Sequence, residues 1–470
     1  MTRFVRLLPA VAVGGLLTLV LVSCGGGQEE TATPGASTAP PAALHVLRAN
    51  PRYFTDGSGR AVYLTGSHVW WNLVGSQTWK VDCERGRVAP FNYRDYLDKL
   101  TWHGHNFFRM WSIEHSRWEQ CGETVTVSPQ PWLRTGPGTA LDGLPKFDLR
   151  RFDPAYFHRL RARVRAARAR GIYVSVMLFE GWGLQWHGDW RWRGHPFNAE
   201  NNVNGVEGDR NRDGTGVEVH TLAVPAVTRI QDAYVRRVIA AVNDLDNVLY
   251  EIANESGAYS TAWQYHMIEL VKREQRRRGK THPVGMTFQH SNGHNATLYR
   301  SQADWVSPHG LEYLSDPPTA TGVKVSISDT DHHCGGCGDH TFPWRSFLRG
   351  HNPVYMDSLD DEPRKQAIRS TLGQTRRYAQ RIDLASARPR GDLSSTGYVL
   401  ATPGREYLVY QPEPAAFTVD LRGTPTSFAA EWFDPGFDRT LGGGTVAGGS
   451  VATLTPPFEG QSVLHLRRIR

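Results

Sequence analysis

An asparagine and a glutamate, Asn254-Glu255, stand near the end of the stretch Asn-Val-Leu-Tyr-Glu-Ile-Ala-Asn-Glu-Ser at 247–256. The first half of the stretch is apolar through Val248, Leu249, Tyr250 and Ile252, as a parallel strand covered on both faces requires. A carboxylate next to a carboxamide at the C-terminal end of such a strand lies where α/β proteins keep reacting groups. Glu255 is therefore a candidate for chemistry. From this stretch alone, capping of a following helix is the alternative.

Two further clusters have the residue types of metal ligands. Asp209-Arg210-Asn211-Arg212-Asp213-Gly214 places oxygen ligands at alternate positions with glycine at the sharp turn, the first half of a calcium loop. Position twelve is His220 rather than glutamate, so the complete EF-hand pattern is absent and Glu218 is the residue left to close a cage. The expectation is a structural Ca2+ that orders a long loop, with no cofactor for catalysis. Asp329, Asp331, His332, His333, Cys334, Cys337, Asp339 and His340 are dense enough in N, O and S ligands to suggest zinc. A zinc-dependent hydrolase with Glu255 as general base is the corresponding alternative activity. In an exported chain, Cys334-Gly-Gly-Cys337 also reads as a small disulfide.

The elements that must position these groups alternate in type. Strands are expected over 60–66, 106–111, 172–179, 248–252, 283–288, 304–307, 323–328 and 354–356, each followed by a helix or a long loop. The clearest helix has Asp153 as N-cap, Pro154 at its first position, an apolar face of Tyr156, Phe157, Leu160, Val164 and Ala167, and Gly171 as stop. Eight β–α units over roughly 330 residues argue for an α/β fold of the (β/α)8 TIM-barrel type over 44–388. An open doubly wound sheet is the other reading, but no Gly-rich fingerprint follows the first strand. The strand tips then carry His68, Trp70 and Trp71; Arg109, Trp111 and Glu114; Glu180, Trp182 and Trp186; Asn254; His290; His309; and Asp357. Polar groups there orient or transform a substrate, and exposed indoles offer flat stacking faces. From about residue 389 short strands separated by Gly and Pro turns indicate a small antiparallel β-sandwich over 389–470.

Composition limits the partners. A net charge of +7 is spread over scattered arginines with no run that argues for nucleic acid. At the N-terminus Arg3 and Arg6 precede an uncharged apolar run over 7–22, too short for a comfortable membrane span. It ends in Leu21-Val22-Ser23-Cys24, which resembles the bacterial lipobox. The expectation is a lipoprotein signal peptide at 1–23, lipidation of Cys24, and a Gly-, Ser-, Thr- and Pro-rich tether over 24–43. The protein is then extracytoplasmic and touches the membrane only through its lipid anchor. Four cysteines remain in the body, with Cys83 and Cys121 the expected long-range bridge.

Placed fourth of eight, Asn254-Glu255 resembles the acid/base position of the clan A glycoside hydrolases. The opening Asn50-Pro51-Arg52-Tyr53-Phe54-Thr55-Asp56-Gly57 and Tyr63-Leu64-Thr65-Gly66-Ser67-His68 resemble the apiosidase-like branch. The C-terminal part is similar to the collagen-binding-type module that follows such barrels. The resemblance implies cleavage of a glycosidic bond in an oligo- or polysaccharide, with Glu255 as general acid/base and a second carboxylate at the end of strand seven. The clan usually has glutamate there; this chain has Asp329 and Asp331. They share strand parity, and Asp329, directly after the apolar run, is the first choice. Two carboxyls roughly 5–5.5 Å apart would form a covalent intermediate, and roughly 6.5–9.5 Å apart would admit a water. The shorter aspartate leaves that outcome open. Arg109 matches the arginine that the clan places near its nucleophile. An inactive surface protein that binds carbohydrate or matrix is the non-enzymatic alternative.

Overall fold

The computed structural model describes residues 41–74, 91–120, 123–185 and 189–469. The expected signal, Cys24 and most of the expected tether, as well as Cys83, Cys121 and Trp186, lie outside them. Among the described residues no helix is long and apolar enough to cross a membrane.

Eight parallel strands form a nearly closed barrel: β1 Gly66–His68, β2 Phe107–Met110, β3 Tyr173–Glu180, β4 Val248–Asn254, β5 Val284–Thr287, β6 Trp305–Ser307, β7 Val325–Asp329 and β8 Asn352–Met356. Their hydrogen-bonded order is 1-8-7-6-5-4-3-2. The seam between β1 and β2 is closed just below the strands, where the Asn106 N–H donates to the Thr65 carbonyl at 3.0 Å and the Thr65 N–H to Asn106 Oδ1 at 3.0 Å. A Cβ on Gly66 would lie 2.2 Å from the Phe107 carbonyl oxygen, so glycine is what lets the two backbones meet. The expected first strand over 60–66 is displaced toward its C-terminal end. Val62 instead makes an isolated bridge to Phe54.

The outer helices are α1 Tyr93–Trp102, α2 Pro154–Arg168, α3 Pro225–Val242, α4 Thr261–Arg277, α5 Asn295–Arg300, α6 Glu312–Ser315, α7 Phe342–Leu348 and α8 Pro363–Arg381. Helix α2 is built as its sequence expects: Asp153 caps the Ala155 N–H, Pro154 opens it, and the five expected apolar residues are buried. Gly171 follows at φ +72°. The lower barrel is filled by Leu249, Phe107, Tyr173, Trp305, Val325, Ile327 and Val354, and is plugged by Leu44 and Phe54 from an N-terminal hairpin. Above this apolar layer the interior turns polar.

The C-terminal part is antiparallel. Strands β9 Arg388–Pro389, β10 Val399–Thr402, β11 Glu406–Gln411, β12 Phe417–Asp420, β13 Ser427–Asp434, β14 Arg439–Ala447, β15 Val451–Leu454 and β16 Ser462–Arg468 form a six-stranded sheet in the order 9-10-11-16-13-14, faced by the pair β12–β15. Strands β9, β14 and β15 are not among those expected; in β14, Gly442, Gly443 and Gly444 interrupt any apolar alternation. One face of the sheet shares an apolar cluster with the barrel: Tyr410, Phe433 and Val463 pack with Trp344, Phe347 and Tyr378 of α7 and α8.

Candidate active site

The polar upper layer is organised by Arg109 on β2, which is wholly buried. Its five N–H groups all have acceptors. Nε and Nη2 grip Glu251 at 3.0 and 2.5 Å; Nη2 also donates to Asn254 Oδ1 at 2.6 Å; and Nη1 donates to Asp329 Oδ2 at 3.0 Å and Asp331 Oδ2 at 2.7 Å. One guanidinium therefore joins the end of β4 to the end of β7 across the barrel. Sequence reasoning misses Glu251. Its signal is a charge inside an otherwise apolar strand, a position that a buried carboxylate holds only with a cation beside it.

Asp329 closes β7 and has no exposed side-chain surface. Its Oδ1 accepts from His68 Nε2 at 3.0 Å and from the Asp331 N–H at 3.0 Å. The Trp111 Nε1–H donates to His68 Nδ1 at 2.9 Å, which leaves the His68 proton on Nε2, facing the carboxylate. Burial would raise the Asp329 carboxyl, but His68 and Arg109 more than offset it and hold it below the usual range. Strand parity does not bring Asp331 inward, contrary to expectation. The chain leaves the extended form at Asp329 and turns into a short helix, Thr330–His333, whose first turn delivers Asp331 to Arg109.

Glu255 follows β4 at φ +48°. Its side chain is 11 % exposed and that of Asp331 6 %. Burial, and next the charge of Asp331, hold the Glu255 carboxyl well above its ordinary value. Burial and the neighbouring Asp329 raise Asp331 against the pull of Arg109. Two such carboxyls titrate as a pair. Arg109 bonds Asp331 and not Glu255, so its charge favours the ionised form of Asp331 over that of Glu255. Asn254 Oδ1 accepts from both Arg109 and, at 3.2 Å, His332 Nε2. That orientation leaves the buried Asn254 Nδ2 without a partner among the described residues. His290 lies 3.8 Å from Glu255 with nearly half its side chain exposed. His309 stacks on Phe288 at 4.4 Å and faces the His332 carbonyl.

Trp70, Trp111 and Trp182 form a contiguous aromatic rim, with Trp70 centred 5.6 Å from Trp111 and 5.5 Å from Trp182. Trp70 and Trp182 keep exposed surface, whereas Trp71 and Trp111 are buried.

Other strand-tip residues have partners of their own, although the charge of Glu180 still acts on Glu255. Asp357 is gripped by Arg369 of α8 at 2.7 and 3.2 Å. Glu114 accepts from the Glu180 N–H at 3.0 Å and lies 2.8 Å from His220 Nε2. Burial raises Glu114, but His220 and His195 bring it down to about 2. Burial, and then Glu114, push Glu180 up to about 8, although the Gly183 N–H lies 3.2 Å from each of its oxygens.

The calcium-type residues stay together on one hydrogen-bonded loop, whereas the zinc-type cluster is split among separate partners. Asp209 accepts from the N–H groups of Asp213 and Gly214, Asn211 bonds Asp213, Asp213 accepts from Thr215, and Glu218 accepts from the Asn211 N–H. These four side chains are thus linked to one another and to their own loop's backbone. In the zinc cluster Cys334 and Cys337 form a disulfide. His332 pairs with Ser307 and His333 with Ser328, while His340 is exposed. Among the described residues no group of three or more His, Cys, Asp or Glu is placed to hold a metal ion.

No protein-family model matches the chain, and no curated protein matches it significantly. Solved structures do. A glycoside hydrolase family 5 protein from Bacteroides vulgatus ATCC 8482 superposes with a TM-score of 0.59 at 13 % identity, over 92 % of this chain and 95 % of that one. A second structure described as a glycoside hydrolase gives 0.57 at 12 %, over 92 % and 98 %. At this identity the likeness shows a shared fold.

Proposed function

We propose that the protein is a glycoside hydrolase acting on an oligo- or polysaccharide, with Glu255 as general acid/base and Asp331 as the second carboxylate. The observation that carries this reading is the Arg109 hub. It brings the ends of β4 and β7 together so that the two part-exposed carboxyls become electrostatic neighbours. Glycosidic cleavage needs one carboxyl that still holds its proton and one that is ionised. Glu255, buried and not bonded to Arg109, suits the first role; Asp331, bonded to Arg109, suits the second. Asp329 has its oxygens engaged by His68, Arg109 and the backbone and no surface, so it acts as the anchor that orients Arg109 and the Thr330–His333 turn. Asn254 Nδ2 is the donor for a sugar hydroxyl, and the Trp70–Trp182 rim a stacking surface. The fold likeness to glycoside hydrolases adds to this reading but does not carry it.

The test is turnover on a panel of plant and bacterial glycans. Glu255→Gln is expected to lower turnover by about 10³-fold or more while the melting temperature is held. Tight glycan binding without turnover, indifferent to that substitution, would mark a binding protein instead.

A further inference from the structure

The peptide at Glu255 is held in the left-handed region, which only surrounding contacts can stabilise for a residue with a Cβ. Those contacts come from behind the barrel rim. The Gln185 side-chain amide donates to the Glu255 carbonyl, and the Gly181 N–H to the Asn254 carbonyl at 2.8 Å. The next residue, Ser256, has its Oγ 3.1 Å from His220 Nδ1, and His220 Nε2 lies 2.8 Å from Glu114. A carboxylate only accepts, so His220 Nε2 carries a proton toward Glu114. Trp263 stacks on the imidazole at 4.5 Å. Ser256 and His220 are both fully buried. Glu114 also accepts from the Glu180 N–H, so one chain of bonds ties the tips of β2, β3 and β4 to the loop that supplies His220.

The order Ser–His–Glu has the residue types of a hydrolase triad. The packing rules that role out. A Cβ on Gly181 would lie 2.1 Å from Ser256 Oγ, so the β3 tip is pressed onto the hydroxyl and leaves no room for an acyl group.

We infer that Glu114, His220 and Ser256, together with Gln185, are positioning residues that hold the left-handed turn of Glu255 and so aim its carboxyl at the leaving-group oxygen. This rests on the reading of Glu255 as acid/base. It also gives the long β3–α3 excursion a structural purpose, since its short 3-10 turn, Val217–His220, inserts His220 between Glu114 and Ser256. A proton donor must stay within hydrogen-bond reach of the departing oxygen, so a small rotation of this turn costs proton transfer before it costs binding.

The test uses Ser256→Ala, His220→Gln and Gln185→Ala in the full chain. Substrates are the phenyl and 2,4-dinitrophenyl glycosides of the sugar found in the glycan panel. A phenolate leaving group needs the proton and a dinitrophenolate does not. The expected result is a kcat/KM loss of about 100-fold on the phenyl glycoside and under about tenfold on the dinitrophenyl one. Equal losses on both substrates would reduce the chain to packing and overturn the inference. Crystal structures of the variants decide without any substrate: Glu255 is expected to leave its left-handed conformation, and an unmoved turn and carboxyl overturns the proposal. Gln185 is only half-buried, so its variant carries both arms if the buried variants do not fold. Glu255→Gln is run alongside. If it loses nothing on either glycoside, the acid/base reading fails, and the crystallographic arm still decides the positioning.

Discussion

At the scale of single residues, the centre assigns unequal work to chemically similar groups. Asp329 and Asp331 both bond Arg109, but only Asp331 keeps surface. Asp329→Asn is expected to destabilise the fold by about 3–5 kcal/mol, because it unpairs a buried arrangement with His68 and Arg109. Asp331→Asn is expected to fold normally and lose about 10²–10³-fold in turnover. Thermal melts and kcat on the two variants check this, and the reverse pattern would exchange their roles. Glu114 and Glu180 make a second contrasting pair. Glu114, lowered from 4.5 to about 2, contributes stability above about pH 4.5 that is lost as pH falls toward 2. Glu180, raised from 4.5 to about 8, contributes stability that is complete below about pH 4.5 and is lost as pH climbs through 8. Glu180→Gln keeps the shape without the charge. Its Tm relative to the unmodified protein should therefore rise by about 2 °C or more between pH 5 and pH 9. A Tm difference that stays constant with pH would show that Glu180 is not held neutral.

At the scale of elements, the barrel depends on how closely its first and last-closed strands approach. Where Gly66 faces the Phe107 carbonyl, the obstacle to a larger residue is backbone, which cannot rotate aside. Gly66→Ala should cost about 2 kcal/mol or more and lower the denaturation midpoint with little change in slope. A neutral result would mean that the β1–β2 seam opens at little cost. Strand β4 illustrates the same coupling of element to site. Leu249 belongs to the apolar plug, Glu251 two residues on belongs to the Arg109 hub, and Asn254 ends at the site. The strand passes from core to chemistry within six residues.

At the scale of the whole molecule, the antiparallel sheet is more than an appendage. Tyr410, Phe433 and Val463 complete the cluster around Trp344, Phe347 and Tyr378, and Arg381 bonds Glu431 at 2.6 Å. Ending the chain at 388 would uncover that aromatic surface on α7 and α8. The truncated barrel is expected to aggregate, as size-exclusion chromatography would show; a soluble monomer with an unchanged Tm would make the sheet a detachable module.

Much of this is legible in the order of residues. Binary pattern and caps determine the alternation of strands and helices, down to the buried face of α2. They also place Glu255 at the C-terminal end of β4. Those signals are local, each set by neighbours within one turn or one strand. Contacts between residues distant in the chain are decided only on folding. Arg109 meets Asp331 across 222 positions, which no periodicity encodes. The chain turns helical after Asp329, so strand parity could not order the two aspartates. His220, the twelfth position of an apparent calcium loop, is instead buried between Glu114 and Ser256. Ligand types that are dense in sequence need not converge in space: the histidines at 332 and 333 turn to separate hydroxyls. A sequence states which groups are present, and packing decides which of them share a dielectric, a proton or a guanidinium.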